Sequence, residues 1–504
     1  MSFLSREKKL RPWHIACMVF LIAACLLFGA GFLFIRLWQG GAVSIPSSVV
    51  DRTAGAVINR FVGSSVPQEK KDLFIARASD LLGFGTPRTY LLLLENNTEL
   101  RPGGGYIGSY AIVTLDKGKS QVRVLEDSAA VDKATPPGVG EVPQPLKTYL
   151  GVPSWYFRDA NWSPDFPTSA RDVLKAYRRA GGAYADDIDV VAAVTPTVLE
   201  EVLRIVGPIT VQGKIFTAEN VVEKLQYEVE YAYVDQGLKE EDRKSILSPF
   251  FETLLRVGAR RFFSSPDVFQ TLGERMVDEK QFLAFSEIPA FAELIHAYHA
   301  GGEVTTTTPG DYVLWVDANV GALKTDHAIR RRLSYDIEPY GNGQYRATVA
   351  MAYRHVGTFD WRTTRYQTYA RVYVPPGAEF VSVEGKGRAG KAIARSDVAT
   401  GEELGKRWYG TFFSVEPGET KELVFRYILP AQVVAQVRSG VYQLLVQKQP
   451  GVVPHGLTLR LNFGTSILGA VPPEEKDEWG DTAYTLQTTL AKDLPFQVDV
   501  GSRP

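Results

Sequence analysis

The sequence predicts a membrane-anchored chain with two folded parts: an α/β domain, with helices packed on a mixed sheet, followed by an all-β sandwich. Three observations carry this. An apolar run without a single charge lies near the N-terminus, from His14 to Ile35. Strand-like and helix-like patterns alternate over residues 72–300, as they do in α/β folds. After the stretch Thr305 to Gly310, short alternating segments separated by Gly- and Pro-containing turns take over, which is the pattern of a sandwich of roughly eight strands.

Composition sets the frame. The chain has 504 residues, 45% of them hydrophobic and 22% charged, which is the balance of a globular protein. That length is room for roughly two to four domains. Lys and Arg number 56 against 57 Asp and Glu, a formal net charge of -1. With no basic field, nucleic acid is not an expected partner. Both cysteines, Cys17 and Cys25, lie inside the apolar run, so the rest of the chain has neither disulfides nor a Cys-based metal site.

The run itself is expected to span a membrane. At 1.5 Å per residue it reaches roughly 30 Å, the thickness of the hydrocarbon layer. Trp13 and Trp38 flank it at the interface levels. Arg6, Lys8, Lys9 and Arg11 precede it and only Arg36 follows closely, so positive-inside reasoning puts residues 1–13 in the cytoplasm, 14–36 in the membrane and the bulk of the chain outside. The alternative is a cleaved signal peptide. Arg36 to Gln39 fit a cleavage site poorly, whereas Gly40-Gly41-Ala42 are small enough for one. Residues 37–71, small and polar, read as a stalk.

The α/β part is expected over 72–304. A helix runs from about Glu69 to Leu82. Arg88 to Leu94 is an apolar run typical of a strand buried on both faces. Tyr110–Leu115 and Gln121–Leu125 form a hairpin around Asp116 to Lys119. Thr168–Ala180 is a helix stopped by Gly181-Gly182, Ile188–Val194 a second buried strand, and Pro196–Val206 a helix stopped by Gly207-Pro208. Ile209–Val211 is a short strand; Ala218 to Ala259 and Pro266 to Ala300 read as helical. The sandwich is expected over 311–465, with strands at Tyr312–Val316, Arg331–Ile337, Tyr345–Tyr353, Tyr369–Val374, Lys421–Ile428 and Thr458–Leu461, and with residues 466–504 as C-terminal strands and tail.

Two loops gather the chemistry. Glu95 to Tyr106 (ENNTELRPGGGY) follows the first buried strand, and in open α/β sheets ligands bind beyond the carboxyl ends of strands. Gly103, Gly104 and Gly105 would let backbone N–H groups approach a ligand, Glu99 lies beside them, and the fork of Arg101 suits phosphate or carboxylate. The other reading is a demanding turn held by Asn and Glu side chains. The second loop, Arg158 to Pro167, offers Arg158 as an anion clamp and Asp159 and Asp165 as hard oxygen ligands. Its other reading makes Asp165 a helix cap and Trp162 core. Asp127 and Asp132, at the end of a strand, either join an acidic cluster or are solvated. Asp127, Asp159 and Asp165 are the candidate ligands of Mg²⁺, the one cofactor considered. His296 and His299 follow Glu293 at a zinc-like spacing without a third ligand pattern.

The stretches LLLLENNTELRPGGGYIGSYAIVTLDKGK, NWSPDFPTSARDVLKAY and IDVVAAVTPTVLEEVLRIVGPITV, with YARVYVPPGAEF at Tyr369–Phe380, resemble the bacterial family known as domain of unknown function 4012. The resemblance spans about residues 72–465 and implies an anchored envelope protein. The third stretch is also similar in layout to LytR–CpsA–Psr proteins, with further counterparts at Ala218–Tyr233, Glu241-Asp242-Arg243 and Ile246–Phe263. That similarity implies transfer of a glycopolymer from a polyprenyl-pyrophosphate carrier to the cell wall, with arginines and Mg²⁺-binding aspartates. Arg101, Arg158 and Asp127 would be the catalytic candidates. Two departures weigh against it: at Glu99-Leu100-Arg101 the charge order is reversed, and at Glu126-Asp127-Ser128 the arginine is missing.

Two functions are therefore expected. The first is a cell-envelope protein binding a surface polymer or a partner protein, which the aromatics Trp361, Tyr366 and Tyr369, read as exposed, support. The second is the glycopolymer phosphotransferase. A cell-wall glycopolymer, a polyprenyl-phosphate lipid and an envelope protein are the partners these readings imply, besides the membrane.

Overall fold

The computed structural model describes residues 50–52, 55, 66–232, 237, 245–308, 310–387, 390–475 and 480–501. The expected anchor at 14–36, most of the stalk, and Glu241-Asp242-Arg243 lie outside these residues. Among the described residues, no helix is long and apolar enough to cross a membrane.

The first part is a mixed sheet between two helical layers. Its strands are β1 (Arg88–Asn96), β2 (Tyr106–Asp116), β3 (Lys119–Asp127), β4 (Ile188–Val194) and β7 (Phe282–Phe285), in the order β3-β2-β1-β4-β7. β1 is antiparallel to β2 and parallel to β4, and β7 is antiparallel to β4. The run of leucines in β1 is explained by its two covered faces. Tyr90 and Leu92 face one layer, with α4 (Pro196–Val206), α5 (Val221–Tyr227), α6 (Leu247–Ser264), α7 (Pro266–Asp278) and α8 (Pro289–Ala297). Leu91 and Leu93 face the other, with α3 (Phe166–Arg179). Two further helices, α1 (Gln68–Leu81) and α2 (Ser128–Ala134), and a small hairpin, β5 (Ile209–Val211) with β6 (Lys214–Phe216), complete this part.

One element departs from the expected helices. Phe282–Phe285 falls within the span read as helical but forms strand β7, all four residues buried. A short apolar run has no period that separates a buried strand from a buried helix turn.

The second part has two facing sheets. One, in the order β12-β15-β10-β9-β17-β19, holds Glu379–Glu384, Thr420–Ile428, Tyr345–His355, Ile329–Pro339, His455–Asn462 and Ala483–Leu490. The other, β13-β14-β11-β8-β16-β20-β18, holds Ala399–Glu403, Lys406–Val415, Tyr366–Val374, Asp311–Asn319, Val441–Gln447, Leu494–Val500 and Ile467–Val471. One core lies between them, with Leu333, Val349 and Phe425 on the first sheet and Val313, Val372 and Phe413 on the second. The strands after residue 465 are integral: β19 extends the first sheet, and β20 and β18 the second. The two sheets hold 13 strands, more than the roughly eight expected. The surplus includes segments such as β14, where eight of ten residues are buried and no polar–apolar alternation survives.

All nine residues of β8 are buried, because the outer face of its sheet is covered too. Ala318, Tyr369 and Phe412 pack there against Tyr149, Leu150 and Trp162 of the α/β part.

Candidate functional site

The crevice beyond the carboxyl ends of β1 and β4 is filled by the protein itself. The β16–β17 loop, residues 448–454, enters it from the sandwich. Asn97 donates from Nδ2 to the carbonyl of Gly451 at 2.9 Å, and Gln281 donates from Nε2 to that of Val452 at 3.0 Å. Gly451 donates its N–H to the carbonyl of Lys280 at 3.0 Å. Gly451 has a φ of 73°, and a Cβ there would lie 2.1 Å from the Gly104 oxygen, so only glycine lets the two loops come this close.

The three loop glycines serve the same packing. Gly104 has a φ of 144°, and a Cβ on it would meet Oε2 of Glu95 at 2.0 Å. On Gly103 a Cβ would meet Oγ of Ser169 at 2.9 Å, and on Gly105 the Asn96 carbonyl carbon at 2.5 Å. Glu95 is buried beneath them, takes a hydrogen bond from Asn161 at 2.8 Å, and is pushed by burial up to about 8.

Arg101 is buried and spends four of its five donors inside the protein. Nε donates to Asp159 at 2.8 Å, Nη1 to the carbonyls of Leu100 and Asn319 at 3.1 Å each, and Nη2 to Glu99 at 3.3 Å. Asn319 belongs to β8, so Arg101 ties the two parts together. The charges continue outward on both sides of this pair. Arg158 lies 3.5 Å from Asp159 and 3.3 Å from the buried Asp132, which burial pushes up to about 6. At the other end burial raises the carboxyl of Glu99 above its ordinary range, against the pull of Arg101 and Lys324.

The same network runs on into the sandwich. Asp326 accepts from the Leu100 N–H at 3.2 Å and from Asn319 at 2.9 Å, and pairs with Arg331 at 2.6 Å. Arg331 also holds Asp317 at 2.9 Å and the hydroxyl of Tyr366 at 2.7 Å. Gln449 closes the circuit, accepting from the Asp317 N–H at 2.8 Å and donating to the Arg101 carbonyl at 3.2 Å. Beside it Lys448, pushed down to about 7 by burial, donates to the carbonyls of Glu279, at 2.7 Å, and Val452. Lys280 pairs with Asp493 at 2.8 Å.

The sequence-predicted residues are thus divided. Glu99, Arg101, Asp159 and Arg158 do come together, as a chain of ion pairs. Asp165 stands elsewhere as the cap of α3: it accepts from the Thr168 N–H at 3.0 Å and the Val304 N–H at 2.9 Å. Asp127, at the end of β3, lies 3.4 Å from the hydroxyl of Ser109. Among the described residues no three His, Cys, Asp or Glu side chains converge as a metal site, so Asp127, Asp159 and Asp165 are not gathered around an ion. Two of the aromatics read as exposed, Tyr366 and Tyr369, are buried, Tyr366 in the sandwich core and Tyr369 against Tyr149.

Sequence reasoning missed Asp317, Asp326, Arg331 and Lys448, while Glu95 and Asn161 stood in the two loops without a role of their own and fit the reading of a turn held by Asn and Glu side chains. It also missed a surface feature. Tyr227 and Tyr231, 40% and 44% exposed, stack with ring centroids 6.0 Å apart. Trp361, from the β10–β11 loop, stands edge-on to both at 5.9 and 5.1 Å. The four-residue spacing of the tyrosines on a helical stretch was the signal available for it.

Among curated proteins none matches the sequence. Solved structures with partial likeness include a candidate nutrient-binding protein of Legionella pneumophila, at 8% identity, covering 38% of this chain and 71% of that one with a TM-score of 0.23. A candidate protease of Parabacteroides distasonis shows 11% identity, 34% and 40% coverage and a TM-score of 0.19. The M1 zinc metallopeptidase of Deinococcus radiodurans shows 14% identity, 34% and 42% coverage and a TM-score of 0.19. The chain spans less than half the length of the last two, and at these scores the likeness assigns neither fold nor activity. Residues 86–230, from β1 to just past α5, match the family model described as a protein of unknown function, DUF4012.

Proposed function

We propose that the chain is a membrane-anchored, extracytoplasmic cell-envelope protein whose folded part binds a surface polymer or a partner protein without catalysing a reaction on it. The observation that carries the non-catalytic reading is the state of Arg101: buried, with four donors committed to Asp159, Glu99 and two backbone carbonyls. A phosphotransferase needs positive charge that can turn to a pyrophosphate, and a metal beside it. Here the arginine holds two domains together, and the crevice it would serve is occupied by residues 448–454. The anchor reading rests on the uncharged run His14–Ile35 and the basic residues before it.

The alternative, a LytR–CpsA–Psr-like transfer of a glycan from a polyprenyl-pyrophosphate carrier, draws on the layout of Ile188–Val211 and on Arg158, whose side chain is 30% exposed. Two experiments test the main reading. Protease added to intact spheroplasts should digest the chain beyond Trp38, and protection of that bulk would refute the orientation. The purified full chain in detergent should co-sediment with isolated cell-wall sacculi and release no polyprenyl phosphate from a lipid-linked glycan; such release would establish the transferase.

A further inference from the structure

The aromatic face of Tyr227, Tyr231 and Trp361 lies where α5 meets the β10–β11 loop. Gln226, next to Tyr227, fixes α5 to the strand-end loop by donating to Asn96 and Thr98 at 3.3 Å each. Two ion pairs flank the rings: Arg362 with Glu223 at 2.7 Å and Lys324 with Glu230 at 2.9 Å. The Arg362 guanidinium also lies over the Trp361 ring, 5.8 Å from its centroid. Among the described residues, the hydroxyls of Tyr227 and Tyr231 and the indole N–H of Trp361 have no hydrogen-bond partner. The face thus combines ring surface, three unspent polar groups, and charges that cancel in pairs.

We propose that this face binds the sugar rings of a neutral glycan chain, an inference that rests on the polymer-binding reading above and names its ligand class. The chemistry matches on each count. A pyranose has a C–H face that packs on an aromatic ring, and hydroxyls at its rim that exchange hydrogen bonds with phenol, indole, carboxylate and guanidinium groups. Paired charges orient hydroxyls but give a polyanion no net attraction. Size argues against a protein partner. At 150–250 Å² per ring, the exposed parts of Tyr227 and Tyr231, 40% and 44% exposed, together with Trp361 offer on the order of 200 Å². A stable protein interface covers about 800 Å² on each side.

The test is titration calorimetry of the full chain in detergent with chitohexaose, cellohexaose and maltohexaose, and with polyphosphate as the polyanion. At least one neutral hexasaccharide should bind and polyphosphate should not. Tyr231→Ser should weaken that binding about tenfold or more, equivalent to about 1.4 kcal/mol, while its unfolding midpoint stays that of the parent. Trp361→Phe, which keeps a ring in place, should lose less affinity than Tyr231→Ser. No binding of any of the three sugars, or binding that Tyr231→Ser leaves intact, overturns the proposal. Cross-linking of an envelope polypeptide that Tyr231→Ser abolishes, without sugar binding, would overturn it in favour of a protein partner. Co-sedimentation with sacculi unchanged in Tyr231→Ser would sink this face while leaving the envelope-binding reading standing.

Discussion

The α/β domain meets the sandwich in two kinds of surface, and they treat polar groups in opposite ways. Around Arg101 the charges are partnered and most are buried: Asp159, Asp326, Arg331 and Asp317, with the partly buried Glu99, form one network through Asn319 and Gln449. Around Tyr231 the rings are partly exposed, and among the described residues their polar atoms have no hydrogen-bond partner. Burial with full satisfaction fixes geometry, since an unpaired charge inside costs several kcal/mol, and leaves nothing over for a ligand. Exposure with unspent donors contributes little to folding and is what a binding surface needs. The loop that looks most chemical in the sequence is therefore a joint, and the candidate site lies on a face of which only Trp361 stood out.

The largest effect that could break this contrast is expected in the buried network. Arg331→Met strands Asp317 and Asp326 without their cation, and should cost about 3–5 kcal/mol, read as a lower urea midpoint. A change within about 0.5 kcal/mol would mean that the network is dispensable. Next in size is Gly451→Ala. Its Cβ would clash with the Gly104 oxygen at 2.1 Å, at a φ of 73°. A cost of about 1–3 kcal/mol should be accompanied by new protease cleavage within residues 448–454, and an uncut loop would argue against the clash.

Acid and alkali should pull on the joint from two sides. Glu95, raised from 4.5 to about 8, contributes stability that is fully present below pH 4.5 and is lost as pH rises through 8. Lys448, lowered from 10.5 to about 7, acts the other way: unfolding binds protons between these values, so its contribution grows as pH rises from 7 to 10.5. Urea midpoints of Glu95→Gln should lack the decline between pH 4.5 and 8, and those of Lys448→Met the gain above pH 7. Parallel profiles in parent and variants would show that neither group titrates in this range. The smallest effect belongs to the aromatic face, where Tyr231→Ser should move the unfolding free energy by no more than about 0.5 kcal/mol. A large loss would make Tyr231 part of the joint.

Much of the α/β part was legible because its signals are local. Leu91–Leu94 announces a strand covered on both faces, and Pro196 and Gly207 bracket α4 as first-turn proline and stop. Phe282–Phe285 was not legible, since four apolar residues fit either state until a neighbour strand is known. The acidic and basic residues of the two loops were picked out correctly as unusual, yet their partners decide their role, and those partners lie far along the chain: Asn319 is 218 residues from Arg101, and Gln449 is 348. No spacing in a sequence encodes such pairings. Tyr366 and Tyr369 were misjudged for a related reason: Arg331 satisfies the buried hydroxyl of Tyr366, and Tyr149 of the other part covers the ring of Tyr369.

The most direct test of the account is urea unfolding of Arg101→Met, measured alongside binding of a polyprenyl phosphate to the same preparation. If Arg101 is a joint, the variant should lose about 3–5 kcal/mol of stability, and the parent should show no affinity for the lipid that the variant could lose. An unfolding midpoint equal to that of the parent, together with lipid binding that disappears on substitution, would contradict the account and return Arg101 to an anionic carrier.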